Sequence, residues 1–425
     1  MDHSLIWVCP PRAWIPAMDY LDLHLRLKQA LRTASGTLPV GDGLCVSFLD
    51  FRSENGRILP GEDRYQCAIH DGAGWAAEAP PGRPPVPGGL LDVQDSHVEE
   101  NLAFRCPVFH RAEVGRAREL LLLLHGLNEK EWDKYYPWAH RLALTTGKAV
   151  LLFPIAFHMN RAPGNWSDHR CMHRTSLERR RGFPQVIASS LSNVAISTRL
   201  HARPERFIWS GLQTYCDVVQ LMHSVRAGQV PQVDPSARVD ILAYSIGCLL
   251  SQILMMTDPE DLFARSRLCM FCGGAVLNRM SPVTKFILDS EANVALYSYI
   301  VEHLESHLRR DARLRHYLGG EHPEGMHFRS MLNYGVLRAE REAQFRHLAP
   351  RMMALALAQD QVVPPYEVVN TLRGAGRDIP VRVEVLDFPF DYQHENPFPA
   401  QEQQRGEVDA AFRRVFDAVA TFFAH

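Results

Sequence analysis

From residue 120 onward, short apolar runs recur along the chain, at 120–124, 149–155, 239–244, 268–271, 352–358 and 381–388. Most are nearly continuous in apolar character rather than alternating with polar residues. That pattern suits strands buried on both faces of a parallel sheet. Helical stretches are predicted between them, at 132–145, 212–226, 246–256, 366–373 and 402–423. The last carries Val408, Phe412, Val415, Val419 and Phe422 three to four residues apart, an apolar stripe along one helical face. Alternating strand and helix at this length predicts an α/β fold with a doubly wound, mostly parallel sheet.

The pattern before residue 100 is different. Residues 1–99 read as an N-terminal extension with an amphipathic helix near 20–32 and a strand near 44–51. Within it, residues 76–89 are rich in Pro and Gly and are expected to form an extended connector. The core is then expected over 100–275 and 351–425, with long insertions at 156–237 and 276–350. The second insertion carries Val283, Phe286, Ile287, Tyr297, Ile300, Val301, Leu304 and Leu308 at helical spacing, which predicts a helical lid. Phe286, Ile287, Tyr297, Ile300 and Leu304 would roof a pocket there and select an apolar substrate group.

Composition narrows the class. The 425 residues are 46% hydrophobic and 22% charged, enough apolar material for a large core and too much for a disordered chain. The formal charge of -2 supplies no global attraction to nucleic acid or to an anionic membrane. No apolar run approaches the ~20 residues of a membrane span, and the N-terminus lacks a signal-peptide pattern. The nine scattered cysteines suggest reduced thiols and a cytoplasmic protein. Cys269 and Cys272 form a C-x-x-C, but inside an apolar strand, where buried free thiols are the expectation.

The sharpest chemical signal is Ala243-Tyr244-Ser245-Ile246-Gly247, at the end of one apolar run and the start of an apolar helix. It matches the nucleophile elbow G-x-S-x-G with alanine for the first glycine. A serine in so tight a turn needs small residues two before and two after it, so that strand and helix can approach. Three other segments stand beside it. His125-Gly126-Leu127-Asn128 follows the 120–124 run, Asp360 follows the 352–358 run, and His394 follows the 381–388 run. Asp387 and Asp391 are alternative acids near that histidine.

The order Ser, Asp, His, with this elbow and these strand-end contexts, resembles the α/β-hydrolase superfamily over roughly residues 105–424. Within it the chain looks like a bacterial branch to which no substrate carries over. The resemblance implies an α/β-hydrolase fold and a catalytic triad of Ser245, Asp360 and His394. It implies an oxyanion hole from the backbone N–H of Ile246 and one from Leu127 or Asn128. His158 and Arg161, on the loop after a sheet strand, together with Tyr244 and Trp132, are expected substrate contacts.

His158, Asp168, His169, Cys171 and His173 crowd one stretch, but only His169 and His173 have ligand-like spacing, and no helical pattern surrounds them. No metal and no cofactor are therefore expected. Ser210 lies in what reads as a second strand-to-helix turn, with neighbours that do not match the elbow. The expected function is a serine hydrolase of ester or thioester bonds, like a carboxylesterase or lipase, acting on a small-molecule ester or acyl substrate. Acyl transfer on the same triad and a non-catalytic binding protein of this fold are the alternatives. The oligomeric state is not legible.

Overall fold

A computed structural model describes residues 18–76, 94–113 and 115–424. Among the described residues eleven strands are formed: β1 (Leu38–Gly41), β2 (Leu44–Arg52), β3 (Arg64–Gln66), β4 (Gly74–Ala76), β5 (Ala103–Arg111), β6 (Ala117–Leu124), β7 (Ala149–Phe153), β8 (Val233–Tyr244), β9 (Leu268–Phe271), β10 (Met352–Leu357) and β11 (Arg382–Leu386). Nine of them make one sheet, in the order β1-β2-β5-β7-β6-β8-β9-β10-β11, while β3 and β4 form a separate hairpin. From β7 to β11 every pairing is parallel; β1, β2 and β5 join antiparallel. This is the α/β-hydrolase fold.

The leucine run of β6 shows why these strands lie at the centre. Leu120, Leu122 and Leu124 enter one hydrophobic core, with Leu151, Phe153, Ile241, Ala243 and Met270. Leu121 and Leu123 enter the other, with Val150, Leu152, Leu242, Tyr244 and Phe271. Successive side chains of a strand point to opposite faces, so a run without polar positions requires a cover on both. The first face is covered by helices Val194–Ala202, Arg206–Arg226 and Ile246–Thr257 and by most of the 276–350 insertion. The second is covered by Tyr20–Leu31, Tyr135–Thr146 and Arg405–Ala424.

Several expectations change here. The helix near 20–32 and the strand near 44–51 are present as Tyr20–Leu31 and β2. β2 pairs with β5 along its whole length, so the sheet begins well before residue 100, where the periodicity alone starts the core. Most of the connector at 76–89 lies outside the described residues. Ser210 is inside helix Arg206–Arg226, not in a turn. His169 and His173 do sit on a helix, His169–Gly182, with exposed stacked rings. Cys269 and Cys272 are free thiols, and burial pushes both thiols up. Among the described residues no helix is long and apolar enough to cross a membrane.

The 276–350 insertion is helical, with Ser290–Ser298, Leu304–Arg310, Ala312–Leu318, Pro323–Leu332 and Arg338–Leu348. Its expected stripe does not stay on one face. Ile287, Ile300 and Leu304 are buried in the core, while Phe286 and Tyr297 are exposed. Phe286 and Ile287 precede the first α-helix of the insertion, Ser290–Ser298, so helical spacing does not apply to them, and a π-helical turn at Tyr299–His303 shifts the register after Tyr297.

Candidate active site

β8 ends at Tyr244 and the helix Ile246–Thr257 begins one residue later, which leaves Ser245 to make the whole turn. Its φ of 55° and ψ of -120° lie in a region that a residue with a side chain seldom visits. The turn is held from three sides. The Ser245 N–H donates to the Phe271 carbonyl at 3.1 Å, the Gly247 N–H to the His125 carbonyl at 3.2 Å, and the Cys248 N–H to the Ser245 carbonyl at 3.0 Å. A Cβ on Gly247 would sit 2.9 Å from the carbonyl oxygens of both Leu124 and His125. A Cβ on Gly273 would sit 2.4 Å from Cys248 Sγ. Both contacts are too short for any side chain, so helix and sheet reach this approach only with glycine at both places.

The histidine comes from the loop after β11. His394 Nε2 accepts from Ser245 Oγ at 2.7 Å, and its Nδ1–H donates to Asp360 Oδ2 at 2.7 Å. The other Asp360 oxygen accepts the N–H groups of Val362 and Val363, both at 2.9 Å, which fixes the carboxylate. All three residues are buried. Asp387 is exposed and turned away, accepting from Tyr392 Oη at 2.8 Å and from Gln359 Nε2 at 3.1 Å. Asp391 is exposed as well.

The His394 loop is clamped by residues that the elbow motif does not contain. The Tyr244 hydroxyl donates to the His394 carbonyl, and the two rings stack with centroids 5.6 Å apart. Lys134 donates to the Glu395 carbonyl at 2.8 Å, lies over the Tyr244 ring at 4.5 Å and pairs with Glu129. Thr284 donates to Glu395 from the inserted segment. Lys134, Thr284 and Gly273 had no sequence signal, because each is linked to the serine or histidine only through folded backbone.

On the other side of Ser245, the turn after β6 supplies amides. Gly126 N–H is taken by the Tyr135 hydroxyl at 3.0 Å. The N–H groups of Leu127, Asn128 and Ile246 donate to no protein group among the described residues. Asn128 has a φ of 60°, and its side-chain amide donates to the Ser192 carbonyl at 3.0 Å and the Phe286 carbonyl at 2.6 Å, tying this turn to both insertions. His125 is buried; its Nδ1–H donates to the Gly126 carbonyl and its Nε2 accepts from Ile155 N–H, both at 2.8 Å. Burial drives this imidazole far below its ordinary range, so it is a neutral brace between two loops.

Leu127 and Ile246 also line a cavity of about 70 Å³. Its walls are mainly apolar, with Ile196, Leu200, Leu249, Leu250 and Phe328 among them. His158 lines it too. Its Nδ1–H donates to the Ala156 carbonyl at 2.8 Å, while its buried Nε2 has no hydrogen-bond partner among the described residues, and burial takes the imidazole down to about 4.

Not all expected substrate contacts reach this space. Arg161 is wholly buried and donates to Asn101, to the Pro154 carbonyl and, at 2.7 Å, to Asp217 Oδ2. With those donors engaged it braces the loop rather than meeting a substrate. Tyr244 lies beneath His394, and Trp132 packs edge-on against His125; neither lines the cavity. Ile300 and Leu304 do not line it either; from the 276–350 insertion only Phe328 does.

Several solved structures are similar to this chain. One is a double mutant of the esterase rPPE, with 10% identity and a TM-score of 0.46 over 94% of this chain and 89% of that one. A thermostable esterase from Pseudomonas putida has 12% identity and a TM-score of 0.40, over 75% of this chain and 79% of that one. Carboxyl esterase 2 from the mycorrhizal fungus Tuber melanosporum has 10% identity and a TM-score of 0.41, over 75% and 81%. A comparison with curated protein sequences finds no match. A family model described as a family of unknown function, DUF6051, matches residues 18–424, nearly the whole chain, and the protein belongs to that family.

Proposed function

We propose that the protein is a serine hydrolase that cleaves an ester or thioester bond of a small molecule through an acyl-enzyme. The observation that carries this reading is the unbroken chain from Ser245 Oγ through His394 to Asp360, two hydrogen bonds of 2.7 Å, at a strained serine. A serine hydroxyl alone is a weak nucleophile at neutral pH. His394 accepts its proton as Oγ attacks the carbonyl carbon. Asp360 holds the imidazole in the tautomer with Nδ1 protonated and stabilises the imidazolium. The N–H groups of Ile246 and Leu127 bind the oxygen that becomes negative. Each such donor is worth about 10²–10³ in rate.

His394 then gives the proton to the leaving group, and water takes the reverse path to release the acid. The apolar cavity beside Leu127 and Ile246 receives the acyl chain, with Phe328 from the 276–350 insertion on its wall. A short acyl group suits its volume.

The test is labelling by a fluorophosphonate probe, followed by hydrolysis of p-nitrophenyl esters of increasing chain length. Wild type should label at Ser245 and turn over a short-chain ester, and folded Ser245→Ala should lose both, with kcat falling by several orders of magnitude. Labelling absent from the folded wild type, or Ser245→Ala activity within tenfold of wild type, defeats the proposal.

A further inference from the structure

Away from the serine, Cys67, His70, His316 and His322 bring four ligand atoms to one point. The contacts close a ring. Cys67 Sγ is 3.5 Å from His70 Nδ1, His70 Nδ1 is 3.2 Å from His316 Nε2, His316 Nε2 is 3.2 Å from His322 Nε2, and His322 Nε2 is 3.4 Å from Cys67 Sγ. All four atoms lie within 4.8 Å of one another. Zinc bonds of about 2.0–2.1 Å to nitrogen and 2.3 Å to sulfur place tetrahedral ligands roughly 3.3–3.6 Å apart, so the ring has the size of a zinc shell.

The surroundings specify which atoms carry lone pairs. His316 Nδ1 faces Glu321 Oε2 at 2.6 Å, and His322 Nδ1 faces Glu324 Oε1 at 3.0 Å. A carboxylate accepts, so each Nδ1 carries the proton, and in the neutral imidazole each Nε2 is bare. The two Nε2 lone pairs then point at each other across 3.2 Å, an arrangement that needs a positive charge between them. Carboxylates behind the far nitrogens are also what orients metal-bound imidazoles. On the sulfur side, the N–H groups of Ile69 and His70 both donate to Cys67 Sγ at 3.4 Å, which fixes the sulfur facing the three imidazoles.

We propose that Cys67, His70, His316 and His322 bind one zinc ion. Cys67 and His70 sit on the turn between β3 and β4, held by Cys67 N–H to the Ala73 carbonyl at 2.9 Å. His316 lies on helix Ala312–Leu318, and His322 caps helix Pro323–Leu332. The ion therefore staples the N-terminal hairpin to the 276–350 insertion across nearly 250 residues of sequence. Four protein ligands leave no open position, which makes the ion structural rather than catalytic. Binding needs Cys67 as thiolate and releases its proton to solvent, with no change of oxidation state. The helix that His322 caps also carries Phe328, so the staple fixes a wall of the cavity beside Leu127 and Ile246. The proposal stands whether or not that cavity receives an acyl group.

The test uses the full chain, purified without a polyhistidine tag. Elemental analysis after dialysis should find one zinc per chain, and Cys67→Ser and His316→Ala should lose nearly all of it, whereas His169→Ala keeps it. Chelation should lower Tm by several degrees without removing fluorophosphonate labelling from protein that is still folded. Metal-free wild type titrated with cobalt(II) should develop a thiolate-to-cobalt charge-transfer band and the visible bands of a tetrahedral site. The cobalt measurement needs no variant and decides the matter if the variants fail to fold. Wild type that holds no zinc and develops no such bands overturns the proposal and leaves a proton shared between histidines. Zinc retained in full by folded Cys67→Ser and His316→Ala overturns it as well.

Discussion

Asp360 and Asp387 both follow sheet strands near His394, and the residue scale separates them. Asp360 accepts the His394 Nδ1–H at 2.7 Å, whereas Asp387 is turned to Tyr392 and Gln359. In a triad, amidation of the acid offers a donor where an acceptor is needed and selects the wrong tautomer, at a cost of about 10⁴ in kcat. Asp360→Asn is therefore expected to lose activity on that scale, and Asp387→Asn to stay within a few-fold of wild type. Steady-state kcat for the two folded variants checks this, and a greater loss at Asp387 would reassign the acid. A second expectation at this scale concerns Gly247. An alanine there meets two backbone carbonyls at 2.9 Å, with no flexible side chain to yield. Gly247→Ala should lower Tm and activity together, and a variant of unchanged Tm would show that the elbow relaxes more easily than its contacts imply.

At the scale of elements, the loop after β7 is held by a buried ion pair. Arg161 and Asp217 meet at 2.7 Å, both without exposed surface, and Asn101 satisfies two further Arg161 donors. Removing one partner of such a pair leaves an uncompensated buried charge, at about 3–5 kcal/mol. Asp217→Asn should show that loss in denaturant unfolding; a loss below ~1 kcal/mol would mean that the Asn101 and carbonyl bonds suffice. Helix Pro323–Leu332 supplies the element-level test of substrate choice through Phe328. Each buried methylene is worth about 0.8 kcal/mol, or roughly fourfold in kcat/KM, until the cavity is full. Phe328→Ala should move the preferred ester to a longer chain, measured as kcat/KM from acetyl to octanoyl. An unchanged profile would place the acyl group elsewhere.

The whole molecule carries an acid liability. His140 lies in the core on the second face of the sheet, and burial takes its imidazole down to about 4; His158 is taken to about 4 by the same cause. Both are neutral in the folded protein, while the unfolded chain binds protons near 6.5. Their full contribution is present above that value and is lost as pH falls from 6.5 toward 4, up to roughly 3 kcal/mol for each. Tm should fall steeply over this window, and His140→Gln should flatten the fall. A slope identical in the variant would move the liability to other groups.

At this scale too the chain divides into what its pattern determined and what only folding decided. The central strands of the parallel sheet were legible, because a strand buried on both faces must be apolar throughout; β11, at the sheet edge, alternates instead, with Arg382 exposed. The small residues at 243 and 247 have a local cause, since the turn at Ser245 brings strand and helix too close for a larger side chain at 247. Asp360 and His394 lie on the loops that follow β10 and β11, strands of the same sheet as β8, and folding brings both side chains to Ser245. Legibility failed where a role depends on contacts between segments far apart in the chain. Arg161 was expected at a substrate, but Asn101 and Asp217 surround it. Ile300 and Leu304 were expected in a pocket, but the π-turn and the packing of the insertion place them in the core. His169 and His173 crowd one stretch of sequence, whereas the four ligand-type residues that converge among the described residues are Cys67, His70, His316 and His322. Local spacing records only what one helix, strand or turn brings together. A ligand shell assembled from a hairpin and two distant helices exists only once long-range packing has joined them.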